Sequence, residues 1–224
     1  MGSFAWFLLA FLFPLTLVKD VNLLCHGDLT DGFIPVPLNE SNYHKLWPYN
    51  LPLSDCYSFT DGVRKLWVYS TDKSHSHSST TKPRTEISIS LIDDGYTYAS
   101  GMWQFERQAY VPNGTSGVCI MQIFCSPNAD GGATTLMLRV YDGALKYYQQ
   151  QTVEDNIYDQ WFKVNVIHDT AAKVVKVFIN SALKLTVNNR GGSIHSFKFG
   201  VYTQNNSSCY MESCWKGIKV LKFV

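Results

Sequence analysis

Strong net charge is missing from this chain, and its absence excludes one broad class of functions. The 19 Lys and Arg residues nearly balance 18 Asp and Glu residues, so the formal net charge is +1 over 224 residues. Proteins that bind nucleic acid or polyanionic surfaces rely on a strong positive field around the molecule. We therefore expect no nucleic-acid partner, and any recognition of an anion must be local.

Other absences narrow the choice further. The six cysteines include no CxxC pair, so zinc binding and thiol-redox chemistry have little support, and we predict no metal and no cofactor. The apolar run at 4–18 is too short to span a bilayer comfortably and is typical of a secretory signal. We predict a signal peptide over 1–20, a single domain over 25–224, and no stable membrane span after cleavage.

Sequons and cysteines agree with the secretory pathway. Sequons begin at Asn39, Asn113, Asn205 and Asn206. The secretory compartment permits disulfides, and the spacing of Cys209 and Cys214 is compatible with closing a hairpin. Cys119 and Cys125 would lie too far apart along one strand to bond. We expect a glycoprotein with disulfides whose pairing the sequence does not choose.

Strand signals dominate the region after residue 60. Alternating segments separated by Asp-Gly, Asn-Gly and Gly-Gly turns recur from Lys65–Tyr69 to Gly217–Phe223. The preceding segment, 25–60, is rich in Pro, Asn and Asp, with a short helix predicted near Glu40–Leu46. There is no internal repeat and no helix-period segment of useful length after residue 50. This pattern predicts an all-β, antiparallel sandwich or jelly roll.

The one low-complexity segment is Ser70–Lys82, which contains His75 and His77. Two imidazoles in a polar loop lack the carboxylate or thiolate partners that a metal site needs. We interpret the segment as a mobile loop placed to overhang a groove.

The most informative strand covers 197–204. Because strand side chains alternate between faces, one face carries Lys198, Gly200, Tyr202 and Gln204. That face is too polar for a core and too aromatic for ordinary display to solvent. It predicts a binding surface for an oxygen-rich, anionic ligand.

Two further predicted strands carry candidate partners for that surface. In Arg84–Ile92, Arg84 and Glu86 share a polar face. In Val118–Phe124, Gln122 is an amide among apolar neighbours and needs hydrogen-bond partners. Taken alone, each has a structural explanation, a surface ion pair for the first and a hydrogen bond within the sheet for the second.

Together these segments resemble polysaccharide lyase family seven, the alginate lyases. The motifs are Arg-Thr-Glu at 84–86, Gln-Ile-Phe at 122–124 and Phe-Lys-Phe-Gly-Val-Tyr-Thr-Gln at 197–204. Phe-Thr-Asp-Gly-Val at 59–63 and Tyr-Met-Glu-Ser at 210–213 are more similar to the plant citrate-binding-protein branch of that superfamily. The resemblance extends over 28–224 and implies a jelly roll, concanavalin-like in type, with a concave groove.

The resemblance also implies roles for individual residues. In the lyases an Arg and a Gln neutralise the uronate carboxylate, while a Tyr delivers a proton to the leaving oxygen. Arg84 and Gln122 would therefore bind a carboxylate, with Tyr202 as acid/base only if the chain is a lyase. The predicted ligand-binding residues are Arg84, Glu86, Gln122, Lys198, Tyr202 and Gln204.

Two positions depart from the lyase pattern. Phe124 stands where the lyases have a His, and Phe cannot accept a proton. Ser88 stands where a second Arg is common, which reduces the positive charge of the groove. His195 is a candidate substitute base, whereas His168, in an apolar strand, is more typical of a structural histidine.

We therefore expect a plant-type protein of the extracellular space, cell wall or vacuole that binds citrate or an acidic oligosaccharide. The alternative is a lyase that cleaves a uronate polysaccharide by β-elimination with Tyr202 as acid/base. A third possibility is a structural cell-wall or stress protein that retains the groove without using it. Whether the chain is an enzyme is left open, and Phe124 favours the non-catalytic interpretation.

Overall fold

The structure is a computed structural model that describes residues 28–89, 97–125 and 132–224. Contacts group Gly32–Val224 into one compact unit. The predicted signal peptide at 1–20 lies outside the described residues. Within the described part of the chain, no helix has the length and apolar character needed to cross a membrane.

Short and long strands make up most of the described chain. They are β1 (Phe33–Pro35), β2 (Tyr43–Leu46), β3 (Tyr57–Thr60), β4 (Val63–Tyr69), β5 (Arg84–Ile89), β6 (Met102–Tyr110), β7 (Val118–Cys125), β8 (Thr134–Tyr141), β9 (Ala144–Tyr147), β10 (Gln151–Glu154), β11 (Trp161–Asp169), β12 (Val174–Ile179), β13 (Ala182–Asn188), β14 (His195–Thr203) and β15 (Tyr210–Phe223). Two 3₁₀ turns, Glu40–Asn42 and Leu53–Asp55, accompany them.

The strands form two antiparallel sheets. The first is eight-stranded, in the order β13-β12-β11-β6-β15-β4-β3, with β1 paired to β15. The second is seven-stranded, in the order β10-β9-β8-β7-β14-β5-β2. The chain passes repeatedly from one sheet to the other, for example between β4 and β5, between β5 and β6, and between β14 and β15. This arrangement confirms the predicted all-β sandwich of jelly-roll type.

Because side chains alternate between the two faces of a strand, every second residue of a strand enters the core between the sheets. In β14, Phe197, Phe199 and Val201 belong to the buried hydrophobic cluster. Phe199 packs edge-on against Trp215 of the other sheet, with ring centroids 5.6 Å apart. The intervening residues of β14 therefore project from the opposite side of the seven-stranded sheet, which we call its outer face.

The helix predicted near Glu40–Leu46 is wrong beyond its first turn. Only Glu40–Asn42 forms a 3₁₀ turn, and Asn39 caps it by accepting a hydrogen bond from the Ser41 backbone N–H at 2.9 Å. The next four residues form β2, which pairs with β5. Sheet hydrogen bonds to β5 therefore replace continuation of the helix.

The expected disulfides are contradicted for the five described cysteines, which are all free thiols. Cys209 immediately precedes β15 and Cys214 lies within it, so the two are separated along one extended segment rather than facing each other across a hairpin. Cys119 and Cys125 lie along β7 and do not bond, as predicted. Cys25 lies outside the described residues.

Candidate functional site

The register of three neighbouring strands gathers the predicted residues on the outer face. β14 lies between β5 and β7. Tyr202 is paired with Arg84, and Lys198 is paired with Gln122. Gly200 lies between them and is paired with Glu86. Sheet pairing thus brings together residues that are far apart in sequence.

Glu86 is the centre of this cluster. Its Oε2 lies 3.1 Å from Arg84 Nη1, and its Oε1 accepts a 2.6 Å hydrogen bond from Gln122 Nε2. Glu86 and Gln122 are each 1% exposed, and Arg84 is 6% exposed. Buried polar groups need such partners, so the carboxylate fixes the orientation of both donors.

Two cations in the cluster lie against aromatic rings. The Arg84 guanidinium carbon is 3.7 Å from the centroid of the Tyr202 ring. The Lys198 ammonium is 3.8 Å from the centroid of Phe124. Lys198 has no hydrogen bond or ion pair to any described residue. Burial lowers the pKa of Lys198, the Glu86 carboxylate raises it, and the charge of Arg84 lowers it.

Gly200 permits the close approach of β5 and β14 that this geometry requires. Its φ is +135°, and a Cβ at this position would lie 2.3 Å from the Thr85 carbonyl oxygen and 2.9 Å from Glu86 Cα. The Gly200 carbonyl accepts a 2.8 Å hydrogen bond from Ser213 Oγ of the opposite sheet. A side chain at Gly200 would therefore displace Glu86 from the cluster.

The loop Ser70–Lys82 brings His75 towards the same cluster. The His75 Nδ1 atom is buried and has no hydrogen-bond partner within 28–89, 97–125 or 132–224. Burial lowers the pKa of His75, and the positive charges of Arg84 and Lys198 lower it further. From the sequence, His75 was considered only as a metal ligand, and it had no partner ligands. Its position near the cluster depends on contacts between the loop and other parts of the chain.

Two predicted site residues are not part of the cluster. Gln204 lies beyond the end of β14, and its side-chain amide donates to the carbonyls of Tyr202 and Thr203 at 3.2 and 3.0 Å. His195 lies apart from the cluster, and its role as a substitute base stays a prediction. Its ring is on the core side of β14, 4.6 Å from the ring of His168.

His195 instead lines a cavity of about 350 Å³ together with Lys173 and Arg190. His168, predicted to be structural, is fully buried, and its Nδ1 lies 2.8 Å from the Tyr98 hydroxyl. Among the described residues no group of three or more His, Cys, Asp or Glu side chains is arranged to hold a metal ion. The outer-face cluster is therefore the candidate site, and its chemistry is that of organic cations and hydrogen-bond donors.

Comparison with known families places this geometry in context. The alginate lyase family model matches residues 34–222, which include every member of the outer-face cluster. The chain belongs to the alginate lyase family. This finding confirms the resemblance that the three motifs indicated.

One relative with high sequence identity is named for citrate binding. The citrate-binding protein of Hevea brasiliensis is 49% identical over 214 residues, covering 95% of this chain and 87% of the relative. Two solved structures of alginate lyases have the same fold as this chain. The family 7 alginate lyase AlgAT5 has a TM-score of 0.62 at 20% identity, covering 80% of this chain and 93% of its own. An alginate lyase of Pseudomonas aeruginosa has a TM-score of 0.62 at 19% identity, with 82% and 99% covered.

Proposed function

We propose that the protein binds carboxylate ligands, citrate or a uronate-containing glycan, at the outer-face cluster. The observation that carries the proposal is the ammonium of Lys198, which forms no ion pair with any described residue and lies beside the Arg84–Glu86 pair. Two cations there face one carboxylate, so the cluster retains a positive charge in a desolvated position. An anion that contacts Lys198 would supply the missing countercharge.

Unused donors agree with this proposal. Arg84 Nε is buried and has no hydrogen-bond partner among the residues that the structure describes, although Nη1 of the same guanidinium contacts Glu86. Gln122 is held by Glu86 as well, so the donors are oriented before a ligand arrives. Preorganised donors reduce the entropy lost on binding. The similarity to a protein named for citrate binding supports citrate as the first ligand to test.

The alternative function is β-elimination of a uronate polysaccharide. Membership of the alginate lyase family favours it, and so does the position of Tyr202 over Arg84, where a phenol would adjoin a bound carboxylate. Phe124 argues against it because the aromatic ring beside Lys198 cannot accept a proton. General acid–base catalysis contributes roughly 10²–10⁴-fold, so Tyr202 acting by itself would leave at most a weak lyase.

Titration calorimetry with citrate tests the binding proposal. We expect wild-type protein to bind, and Lys198→Met to bind about ten-fold more weakly or worse, because a charge-assisted contact is lost. Lys176→Met is the matched control, since Lys176 is an exposed lysine of β12 in the other sheet. Absence of heat from wild-type protein at millimolar citrate and at millimolar oligouronate would overturn the proposal.

A separate assay decides between binding and catalysis. The protein is incubated with polymannuronate, polyguluronate, glucuronan and pectate, and the ultraviolet absorbance of unsaturated uronates is followed. The binding proposal predicts no new absorbance. Absorbance that appears with wild-type protein and disappears with Tyr202→Phe would establish the lyase alternative.

We further propose that the protein enters the secretory pathway and reaches the cell wall, the extracellular space or the vacuole. The sequon residues Asn39, Asn113, Asn205 and Asn206 are all exposed, as attachment of a glycan requires. Treating protein purified from its native tissue with a glycosidase should reduce its apparent mass. An unchanged mass would remove the glycan argument.

A further inference from the structure

We propose that His75 is a ligand-contacting residue of the carboxylate site and takes up a proton when the ligand binds. The inference rests on the proposed carboxylate binding and extends it to a residue of the loop Ser70–Lys82. Three observations carry it: how the loop is held, what the imidazole lacks, and which charges surround it.

The first observation is that neighbouring contacts hold the loop beside β5. The last residue of β2, Leu46, is paired with Glu86. Three residues later, the Tyr49 backbone N–H donates to the Ser74 carbonyl at 3.0 Å, and the Tyr49 ring stacks on His77 with centroids 3.8 Å apart. His75 lies between these two anchored positions.

The turn that presents Tyr49 is itself fixed. Trp47 Nε1 donates to the Leu51 carbonyl at 3.0 Å, and the Leu51 N–H donates to the Pro48 carbonyl at 3.1 Å. Within the loop, Ser74 Oγ donates to the Ser76 carbonyl at 2.7 Å. Both residues flanking His75 are therefore hydrogen-bonded, which limits the directions that its side chain can take.

The second observation is an unsatisfied atom. His75 Nδ1 is buried, yet it has no hydrogen-bond partner among the described residues. A buried polar atom without a partner costs about 1–3 kcal/mol, so such atoms in native proteins require an explanation. A ligand oxygen that accepts a hydrogen bond from Nδ1–H would satisfy this atom.

The third observation is the sign of the surrounding charge. Among the described residues, Arg84 of β5 and Lys198 of β14 are the charged groups that act on His75, and both are positive. Together with burial they keep its pKa below the ordinary value, so the imidazole is neutral near neutral pH when the site holds no ligand. The Glu86 carboxylate is already paired with Arg84 and Gln122.

A bound polycarboxylate would reverse this balance. Its negative charges would neutralise Arg84 and Lys198 and attract a proton to the His75 imidazole. The protonated ring then donates a charge-assisted hydrogen bond to a ligand carboxylate. Proton uptake is linked to binding, so the affinity must rise as the pH falls through the pKa that His75 has in the complex.

Calorimetry in two buffers of different ionisation enthalpy tests the inference. At about pH 7.5, citrate is titrated into wild-type protein, His75→Gln and His77→Gln. We expect proton uptake by wild-type protein and by His77→Gln, and its loss in His75→Gln with affinity about ten-fold weaker. Comparing variants with the same ligand removes the contribution of citrate's own titration.

The outcomes separate this inference from the function on which it rests. No binding by wild-type protein overturns both. Binding with the same proton uptake in His75→Gln overturns only the role of His75. NMR titration of wild-type His75, assigned by the resonance that is missing from His75→Gln, gives a second measurement independent of affinity. Its pKa must rise when citrate is added, and an unchanged pKa contradicts the inference.

Discussion

The guanidinium carbon of Arg84 lies over the phenol ring of Tyr202, 3.7 Å from the ring centroid, across the pairing of β5 with β14. The contact has two consequences. It shields one side of a buried cation from solvent, and it fixes the phenol next to the group that would hold a ligand carboxylate. The aromatic ring and the hydroxyl group of Tyr202 can therefore be tested separately.

Two substitutions of Tyr202 should separate the contribution of its ring to stability and citrate affinity from the contribution of its hydroxyl group. Tyr202→Phe keeps the ring, so we expect unchanged stability within about 0.5 kcal/mol and unchanged citrate affinity. Tyr202→Ala removes the ring and should lower the free energy of unfolding by about 0.5–2 kcal/mol through the cation–π contact alone. Urea unfolding and calorimetry measure both effects. Equal behaviour of the two variants would show that the stack contributes nothing.

Removing one partner of the buried Arg84–Glu86 ion pair should destabilise the fold more than removing both. Arg84→Met leaves the Glu86 carboxylate buried without its cation and should cost about 3–5 kcal/mol of unfolding free energy. The double variant Arg84→Met/Glu86→Met should recover most of that loss. A double-mutant cycle by urea unfolding gives the coupling energy. A loss below about 1 kcal/mol in Arg84→Met would mean that the pair is solvated in solution, as surface pairs are.

The sequence predicted some long strands with their bounds, but of the longest, β15 (Tyr210–Phe223), it predicted only Gly217–Phe223. Thr134–Tyr141 and Trp161–Asp169 have the predicted bounds, because each carries enough alternating residues to mark one buried face. β2, with the sequence Tyr-His-Lys-Leu, was predicted as part of a helix instead. Its strand conformation comes from pairing with β5, and no local pattern encodes that contact.

The site was predictable to a similar extent. The motif resemblance identified Arg84, Gln122 and Tyr202, and the structure brings these three together. Their binding role stays a prediction. The sequence also indicated that His195 lies apart from the cluster, because His195 shares strand parity with Phe197, which belongs to the buried hydrophobic cluster. His75 was not predictable, since a loop residue acquires its position from tertiary contacts alone.

His168 should make stability depend on pH in the acidic range. Burial, assisted by the nearby charge of His195, lowers its pKa from 6.5 to about 4. Between these values the unfolded chain binds a proton that the folded state refuses, so stability falls as the pH drops from about 6.5 to about 4. The full loss from this group is about 3 kcal/mol, and it is complete below the folded pKa.

The measurement for His168 compares urea unfolding of wild-type protein and His168→Gln at several pH values. Gln retains an acceptor for the Tyr98 hydroxyl but does not titrate. We expect the variant to lose less stability than wild-type protein over the same pH interval. Carboxylates titrate in both proteins and cancel in the difference. Parallel pH profiles would contradict the lowered pKa.

Arg107 is a buried cation in the core that forms no ion pair with any described residue. Its guanidinium carbon lies 3.4 Å from the centroid of Phe199 and 4.6 Å from that of Trp215, and Arg107 is 1% exposed. None of its three side-chain nitrogens has a hydrogen-bond partner in the described part of the chain. Burial lowers its pKa well below the ordinary value. Stacking on aromatic rings contributes about 2 kcal/mol, which is less than the several kcal/mol needed to desolvate an ion.

Arg107→Met should therefore stabilise the fold. We expect the free energy of unfolding to rise by about 1–4 kcal/mol, as when other buried charges are replaced by apolar residues of similar size. Arg64→Met is the matched control, because Arg64 is also a buried arginine but contacts Glu40 and Tyr57. That variant should lose stability. If Arg107→Met were destabilised as much as Arg64→Met in urea unfolding, the aromatic contacts would outweigh the desolvation cost, and Arg107 would be a packing element of the sandwich.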